Sequence, residues 1–440
     1  MISTLHAAWL ATAERAPNAI AMIDAATQRS WTRLALHQRA VALRDQLPAA
    51  ATRRTILLAQ PNGTEWIAAL LACLAADSAV APIDPGEPET SRALAAETAG
   101  ASFIWDENGV TSLRLRRPQR DHRRVIKFTS GSTQRPRALR FTDAQMLADG
   151  AHVCSTMGLT ADDRNYALIP FGHSYGWGNL VVPLLAQGTA IVCGSSALPH
   201  VATSEVERFQ ATVFPAVPAL LRAWAESDIA PEHLRSLRTI ISAGAPLAPE
   251  TARAFFARFG KKIHSFYGSS ETGGITYDRT GDAALTGRSV GTPLDGVSLT
   301  FLPRRRFTVT SAAVGDRRGS HLAADFGELT PDGELRLLAR RGRIAKIAGR
   351  RVNLAEVEET LRRVPHVLDA FVAPHPTRAD ALAAAVAGRV ESGQLRSELA
   401  RHLAPWKIPR QFLVLTEFPL TARGKTDTRR LLATLREAGS

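Results

Sequence analysis

Short apolar runs alternate with amphipathic stretches from the N-terminus to about residue 300. Thr55–Ala59 is an apolar run of strand length, a turn follows at Pro61-Asn62-Gly63, and Thr64–Ala76 repeats apolar residues at helical spacing. A second short strand is predicted at Ala79–Ile83. Strands that alternate with helices in this way predict βαβ units, a mostly parallel sheet and helices on both of its faces.

The same alternation returns between residues 200 and 270. It predicts, in order, helix Thr203–Gln210, strand Thr212–Phe214, helix Pro218–Glu226, strand Leu237–Ser242, helix Pro249–Phe259 and strand Ile263–Tyr267. Open sheets of this kind bind ligands in the loops beyond the carboxyl ends of their strands. We therefore expect chemistry in the loops that follow these strands.

Beyond residue 300 the pattern becomes a compact α+β arrangement. It predicts strands Phe307–Thr310, Gly333–Leu338 and Arg343–Ala348, helix Ala355–Arg363, strands Val367–Ala373 and Leu382–Ala387, helix Leu395–His402, strand Phe412–Thr416 and helix Asp427–Glu437. The fold class predicted is α/β, with a large N-terminal domain of βαβ units and mostly parallel sheets, residues 1–339, and a small α+β C-terminal domain, residues 340–440. The boundary is expected near Ala339–Gly342.

Length and composition exclude several classes of protein. The 440 residues suffice for two to four domains at about 150 residues each, and 45% hydrophobic with 22% charged residues is typical of a globular protein, not of a disordered, collagenous or disulfide-stapled one. No apolar run approaches the roughly 20 residues of a membrane span, and the first residues do not resemble a signal peptide. Cys73, Cys154 and Cys193 lack metal-ligand spacing. We expect buried free thiols and a cytoplasmic protein.

The charge is concentrated at the C-terminal end. The chain carries a net charge of +13, and residues 340–440, with 19 Lys/Arg and 10 Asp/Glu, carry +9 of it. Such a module suits a phosphorylated ligand or an acidic protein partner, while a solvated basic face is an equally good interpretation of any single arginine. Binding to nucleic acid is a further hypothesis, but nothing resembles a helix-turn-helix, a zinc finger or a stacking platform, so no nucleic-acid partner is expected.

One segment leads from a strand into a hydroxyl-rich loop. It runs from Ile126 to Arg137 and reads IKFTSGSTQRPR. Hydroxyl groups, free backbone N–H groups and nearby guanidinium groups can form a cradle for a polyphosphate. The spacing is not that of the G-x-x-x-x-G-K-S/T loop, and a plain turn is the alternative interpretation of the isolated segment.

Two more loops follow predicted strands of the same sheet. Ala243-Gly244-Ala245 follows Leu237–Ser242, and Tyr267-Gly268-Ser269-Ser270-Glu271 ends the strand that begins at Ile263. Small residues let the backbone approach a flat ligand, an aromatic side chain can stack on a base, and a carboxylate can hold Mg²⁺. Taken singly, the glycines are interpreted as tight turns and Tyr267 as a core aromatic, but their joint occurrence at strand ends favours a site.

These residues resemble the adenylate-forming superfamily of acyl- and aryl-CoA synthetases, adenylation domains and luciferases, over nearly the whole chain. Phe128–Arg137 is similar to the family's Y/F-T-S-G-S/T-T-G-x-P-K loop, and Tyr267–Glu271 to its Y-G-x-S/T-E motif. Asp325 occupies the place of the T-G-D aspartate. The segment 339–358 resembles the family's G-R-x-D-x-x-I-K-x-x-G-x-R motif, and 419–425 resembles P-x-T-x-x-G-K.

The resemblance implies a function and a set of site residues. The function is ATP- and Mg²⁺-dependent adenylation of a carboxylic acid, aryl or medium- to long-chain, followed by transfer to a pantetheine thiol of CoA or of an acyl or aryl carrier protein. The implied ATP- and AMP-binding residues are Thr129, Ser130, Gly131, Ser132, Thr133 and Arg137 for the phosphates, Ala243, Gly244, Ala245, Tyr267, Gly268 and Ser270 for adenine and the α-phosphate, and Asp325 and Arg340 for the ribose.

The remaining implied residues carry the reaction. Lys425 would bring a cation to the carboxylate and the α-phosphate, and Glu271 would bind Mg²⁺. His173 would line the acyl pocket and gate the thiol, although a lone His in an aromatic run is otherwise most often a core residue. The family's small domain rotates after adenylation, with Gly342 at the hinge and Gly349 lining the thiol tunnel.

Departures from the family pattern keep a second hypothesis open. Gln134 and Ala138 stand where glycines are usual, Arg137 stands for a lysine, and Gly342 stands for the usual hinge aspartate or lysine. A non-catalytic, nucleotide-binding relative of the same fold is therefore the alternative, although retention of Glu271 and Lys425 argues against it. The sequence leaves open whether the chain is a monomer or a homodimer.

Overall fold

The computed structural model describes residues 4–87, 89–113, 124–129, 137–316, 318–340, 344–347, 350–378, 381–403, 405–421 and 426–438. The chain divides into two units. The first unit comprises residues 1–300, 308–321 and 330–335, and the second comprises 301–307, 322–329 and 336–440.

Up to residue 300 the first unit alternates strands and helices. Its strands are β1 (Ile20–Asp24), β2 (Arg29–Thr32), β3 (Thr55–Leu58), β4 (Ala79–Pro82), β5 (Phe103–Asp106), β6 (Gly109–Ser112), β7 (Val125–Thr129), β8 (Arg137–Phe141), β9 (Arg164–Ala167), β10 (Ala190–Cys193), β11 (Val213–Ala216), β12 (Thr239–Ser242), β13 (Ile263–Ser269), β14 (Gly273–Tyr277) and β15 (Thr292–Pro293). Its helices are α1 (Thr4–Arg15), α2 (Arg33–Asp45), α3 (Thr64–Ala75), α4 (Glu89–Ala99), α5 (Asp143–Met157), α6 (Ser174–Gly176), α7 (Val182–Gln187), α8 (Pro199–Arg208), α9 (Pro218–Glu226), α10 (Pro249–Phe259) and α11 (Asp282–Thr286).

Two mixed sheets organise these elements. The nine-stranded sheet has the order β15-β14-β13-β12-β11-β9-β10-β1-β2, and the six-stranded sheet has the order β6-β5-β3-β4-β7-β8. Strands from β13 to β1 pair in parallel, as do those from β5 to β7, and antiparallel pairs occur only towards the edges of the described sheets. Parallel strands need crossover connections, which the intervening helices supply.

Helices cover both faces of each sheet. Helix α3 is buried from Trp66 to Leu74 and shares one core with Ile56 and Leu58 of the six-stranded sheet and Met22 of the nine-stranded sheet. The opposite face of the nine-stranded sheet packs on α8, α9 and α10, and that of the six-stranded sheet packs on α4. A helix that is apolar all round is expected in such a central layer.

The later elements begin with a four-stranded sheet whose residues belong to both units. Its strands, in spatial order, are β16 (Ser298–Leu302), β17 (Arg306–Thr310), β18 (Ser320–Leu329) and β19 (Leu335–Arg340). The elements that follow are β20 (Ile344–Ile347), β21 (Arg350–Asn353), α12 (Leu354–Arg362), β22 (Val367–Pro374), β23 (Leu382–Gly388), α13 (Ser392–His402), β24 (Gln411–Leu415) and α14 (Thr428–Glu437).

The second unit has its own core around the sheet β22-β23-β24. Alternate residues of β23 point to opposite faces: Ala384 and Val386 pack with α12 and α13, whereas Ala383 and Ala385 pack with Leu431 of α14. Both faces are therefore covered by helices.

The predicted fold class is confirmed: an α/β chain with mostly parallel sheets in the large part and α+β structure at the C-terminal end. Helices α9 and α10 have the predicted bounds, since each begins with a proline at its first helical position. Helix α8 was predicted too late, at Thr203–Gln210, because Pro199 is its start. The domain boundary at residue 339 stays a prediction.

The cysteines differ in part from expectation. All three are free thiols, but only Cys73 is fully buried, while Cys154 and Cys193 are half-buried. Burial raises the pKa of Cys154 and of Cys193 to about 12, so both thiols are protonated at neutral pH. None of the helices in the described ranges is long and apolar enough to cross a bilayer.

Candidate functional site

The candidate site lies at the carboxyl ends of the central parallel strands. Register pairs Ala216 of β11 with Ser242 of β12, and Ser242 with Ser265 of β13, so these strands end or leave the sheet on the same side. The loops that follow β9, β11, β12 and β13 therefore emerge at one edge of the nine-stranded sheet.

The loop after β12 presents its backbone at this edge. The Ala243 N–H donates to the Ala216 carbonyl at 3.2 Å, which ties the loop to the neighbouring strand. Gly244 has φ +87°, a left-handed conformation that favours glycine, and Gly244 and Ala245 are both exposed. A loop without bulky side chains can lie flat against a planar ligand.

The Tyr267–Glu271 segment forms one arm and the turn of a hairpin. Tyr267 pairs with Thr276 across β13 and β14, and the register shifts between Tyr267 and Gly268. Ser270, Glu271 and Thr272 form the turn, which a 3.0 Å contact between Ser269 Oγ and Thr272 Oγ1 closes. Tyr267 is half-buried, so part of its side chain stays accessible.

Glu271 is held by its backbone and not by its side chain. Its carbonyl accepts from the Gly315 N–H at 3.0 Å, and the carboxylate makes no hydrogen bond or ion pair with any residue that the structure describes. The side chain is half-buried at the turn. The backbone of Glu271 is therefore held in place, while its carboxylate has no partner among the described residues.

His173 reaches the same edge through the loop after β9. Its N–H donates to the Pro170 carbonyl at 3.3 Å, and its carbonyl accepts from the Trp177 N–H at 2.8 Å. Two residues later, the Tyr175 hydroxyl donates to the carbonyls of Ala216 at 3.3 Å and Ile241 at 3.2 Å. The His173 segment is thus anchored on the ends of β11 and β12.

Two residues hold this segment in place, and neither had a role predicted from the sequence. Tyr175 is one, and burial raises its pKa well above the usual value, so its hydroxyl remains a donor. Asn62 is the other: its Nδ2 donates to the Ile169 carbonyl at 2.8 Å and its Oδ1 accepts from the Phe171 N–H at 2.9 Å. The only local signal for Asn62 was its turn Pro61-Asn62-Gly63, which is typical of any loop.

The phosphate-loop segment begins and ends on a hairpin of the six-stranded sheet. Thr129 is the last residue of β7 and pairs with Arg137, the first residue of β8; Thr129 is half-buried and Arg137 is exposed. Ser130, Gly131, Ser132 and Thr133, as well as Gln134, lie outside the described residues.

Two further predicted residues belong to strands of the four-stranded sheet. Asp325 is a half-buried residue of β18 in the second unit, and Arg340 is the last residue of β19. Gly342, Gly349 and Lys425 lie outside the described residues. The structure therefore brings His173, the 243–245 loop and the Tyr267–Glu271 hairpin to one edge, and leaves the roles of the remaining residues as predictions.

The donor set fits magnesium that is carried by a nucleotide. Within the described ranges no three His, Cys, Asp or Glu side chains are grouped to hold a metal by themselves. Mg²⁺ is commonly held by one or two carboxylates together with substrate phosphates and water. The Glu271 carboxylate, which no described residue pairs with, lies beside Ser269 and Ser270 in the chain and matches that pattern.

Comparison with protein families gives two matches. The profile described as AMP-binding enzyme matches residues 9–114 and 106–302, and the profile described as AMP-binding enzyme C-terminal domain matches residues 356–425. Together they cover the parts of the chain that hold the candidate site and the C-terminal sheet.

The sequence identity to individual curated proteins is modest. The chain is 27% identical over 353 residues to an L-proline–[L-prolyl-carrier protein] ligase of Streptomyces coelicolor, covering 70% of this chain and 65% of that protein. It is 26% identical over 346 residues to a sulfoacetate–CoA ligase of Cupriavidus necator, covering 72% and 68%. The chain thus spans about two thirds of the length of these proteins.

Solved structures show the same fold. The structure of ATP-bound MatB from Rhodopseudomonas palustris superposes with a TM-score of 0.85 at 19% identity, covering 100% of both chains.

Proposed function

Because the chain belongs to the AMP-binding enzyme family, we propose that it is an ATP-dependent acid–thiol ligase. In the first step an oxygen of the acid attacks the α-phosphorus of ATP, pyrophosphate leaves and an acyl-adenylate forms. In the second step a pantetheine thiol attacks the acyl carbon, loses its proton and displaces AMP, which leaves a thioester.

The observation that carries this proposal is the convergence of the 243–245 loop and the Tyr267–Glu271 hairpin at one sheet edge. We assign the adenine to the space between Tyr267 and the backbone of residues 243–245, and the α-phosphate to Ser270. The β- and γ-phosphates are assigned to Thr129, Ser132 and Thr133.

Glu271 would hold Mg²⁺, which neutralises charge on the phosphate oxygens and helps pyrophosphate to leave. Asp325 and Arg340 would bind the ribose, and Lys425 would bring the acid and the α-phosphate together. Two anions repel each other, so alignment and countercharge are what such a site must supply.

The acid is proposed to be aryl or medium- to long-chain. The segment Phe171-Gly172-His173 contains an imidazole but no carboxylate that would pair with an α-ammonium group. Activation of an amino acid, such as the one named for the Streptomyces relative, would count against this assignment.

The acceptor is proposed to be anionic, either CoA or a carrier protein bearing phosphopantetheine. Support comes from one end of the second unit's sheet, where the Arg396 guanidinium donates to the Arg410 carbonyl at 3.1 Å and the Gln411 amide donates to the Leu435 carbonyl at 3.0 Å. These contacts gather Arg396, Arg410 and Arg436, which are all exposed and have no carboxylate partner among the described residues. Such a group attracts phosphates or an acidic surface.

The test is acid-dependent exchange of labelled pyrophosphate into ATP across fatty, aryl, hydroxyaryl and amino acids. Exchange with an aryl or fatty acid is expected, and thioester formation with CoA or with a holo carrier protein then identifies the acceptor. If the chain binds ATP but exchanges with no acid, the result would support the non-catalytic relative. Gln134 and the exposed Arg137 would then be the first residues to change, to the glycine and the lysine that are usual in the family.

A further inference from the structure

Lys127 is a buried lysine in a strand that leads to the phosphate loop. It is one of six lysines in the chain and precedes Thr129 by two residues. Its residue is 2% exposed, and its ammonium lies 4.5 Å from the centroid of the Phe141 ring. Burying a lysine is costly unless a counter-charge compensates, so its position demands an explanation.

The counter-charge is Asp149 of helix α5. Burial lowers the pKa of Lys127, and the negative charge of Asp149 opposes that shift. Asp149 is itself only 3% exposed. Lys127 of strand β7 and Asp149 of helix α5 are thus both buried, and the charge of Asp149 acts on Lys127.

Asp149 also holds the hairpin that carries Glu271. Its Oδ1 accepts from the Gly274 N–H at 2.9 Å. The neighbouring Gly273 has φ +73°, and a β-carbon there would collide with the Asp149 carboxylate, so the hairpin can approach only because this residue is glycine. The carboxylate therefore fixes the strand that leaves the Glu271 turn.

Phe141 is connected to the same turn through Gly315. Gly315 packs against its ring, where a β-carbon would lie 2.8 Å from Phe141 Cε1, and the Gly315 N–H donates to the Glu271 carbonyl at 3.0 Å. The Lys127 ammonium contacts Phe141 and is influenced by the charge of Asp149. Phe141 leads through Gly315 to the Glu271 carbonyl, and Asp149 bonds Gly274 of the same hairpin.

We propose that Lys127 and Asp149 are positioning residues that fix the Glu271 turn relative to the strand entering the phosphate loop. The two residues would set the distance between the Glu271 carboxylate, which is proposed to take Mg²⁺, and the Thr129 hydroxyl at the end of β7. They act through Glu271 and Thr129 and touch neither nucleotide nor acid. This inference rests on the proposed function.

The test compares Asp149→Asn, Lys127→Met and the double variant with the wild-type chain. Each single variant is expected to weaken MgATP binding, measured by calorimetry, about tenfold, which is the lower end for losing a partner that orients a metal ligand. Each is also expected to lower the thermal midpoint, since it leaves one buried charge alone. In the double variant no buried charge is left without its opposite, so the thermal midpoint should recover. The MgATP affinity should stay low, because neither side chain holds the Glu271 turn any longer.

Asp163→Asn is the matched control. Asp163 is 5% exposed and pairs with Arg238 at 2.6 Å, before β9 and β12 begin and so at the opposite edge of the sheet. It should lower the midpoint and leave MgATP affinity within twofold. Recovery of affinity together with stability in the double variant would show a merely structural role and overturn the proposal, as would single variants that destabilise without weakening MgATP.

Because calorimetry needs no turnover, this result is independent of the pyrophosphate exchange. Absence of exchange in the wild-type chain would contradict the proposed function. Equal MgATP affinity in all variants would contradict only the positioning role of Lys127 and Asp149.

Discussion

The two units differ in their net charge. The first unit, with 320 residues, has 31 Lys/Arg and 29 Asp/Glu, whereas the second, with 120 residues, has 23 Lys/Arg and 12 Asp/Glu. The net charges are +2 and +11. The first unit is nearly balanced, and the second carries most of the positive charge of the chain.

The placement of the charges differs as well. The first unit buries Asp163, which pairs with Arg238 at 2.6 Å, and it also buries Lys127 and Asp149, whose charge acts on Lys127. The second unit leaves Arg396, Arg410 and Arg436 exposed without acidic partners in its described part. Buried charges fix geometry and resist salt, while exposed charges attract a partner from solution and are screened by salt. Under the proposed function, the first unit would orient the nucleotide and the second would attract the anionic acceptor.

The largest expected effect comes from Lys425, the lysine proposed to join the acid and the nucleotide. Lys425→Ala should lower acid-dependent pyrophosphate exchange by about 1,000-fold, because a cation at the developing charge is lost, and should leave ATP affinity nearly unchanged. Lys407→Ala is the control, since Lys407 lies in the same unit and binds Glu356 at 2.7 Å. Equal losses in both variants would mean that net charge matters and not position.

Glu271→Gln tests whether the first unit binds the magnesium ion. We expect exchange to fall about 100-fold, with a higher requirement for Mg²⁺, because the carboxylate proposed to hold the metal is neutralised. The thermal midpoint should not change, since the side chain has no partner among the described residues. Unaltered magnesium dependence would contradict the assignment of Glu271.

Asp163→Asn tests whether the first unit depends on its buried pairs. Burial alone would raise the pKa of Asp163, but hydrogen bonds from Arg238, Thr160 and Thr212 outweigh it and lower the pKa below its usual value. The stabilisation is present above the unfolded pKa of about 4 and is lost as pH falls through the lower folded pKa. Asp163→Asn should therefore cost about 2 kcal/mol at pH 7 and less below pH 4. Urea unfolding between pH 7 and 2.5 measures this, and a pH-independent difference would contradict it.

The smallest expected effect concerns the exposed arginines. Replacing Arg396, Arg410 and Arg436 by alanine should slow thioester formation about five- to tenfold at low salt and leave pyrophosphate exchange unchanged, with the difference vanishing near 0.5 M salt. Arg363 and Arg401 provide the control, because they are exposed in the same unit but pair with Glu359 at 2.6 Å and Glu398 at 2.7 Å. A loss that persists at high salt would point to a packing effect.

Local signals in the sequence accounted for much of the fold. Helices α9 and α10 could be bounded because a proline begins each one and Gly260, in a left-handed conformation, ends α10. Helix α5 was not predicted, although Thr142 and Gln145 form a capping box at its start. The sequence also did not predict that residues 301–307 and 322–329 belong to the second unit. Contacts between distant segments decide this assignment, so no local pattern indicates it.

By itself the sequence determined the alternation of strands and helices, the class of fold and the motifs at strand ends, since these depend on residues close together in the chain. Only the tertiary structure decided that Asn62 and Tyr175 anchor the His173 segment, that the buried Asp149 bonds the Glu271 hairpin, and that Lys127 is buried against Phe141. The reason is physical: a buried polar side chain takes its partner from whichever segment packs against it, and that segment is more than 100 residues away for the bonds between Asn62 and Phe171 and between Gly274 and Asp149.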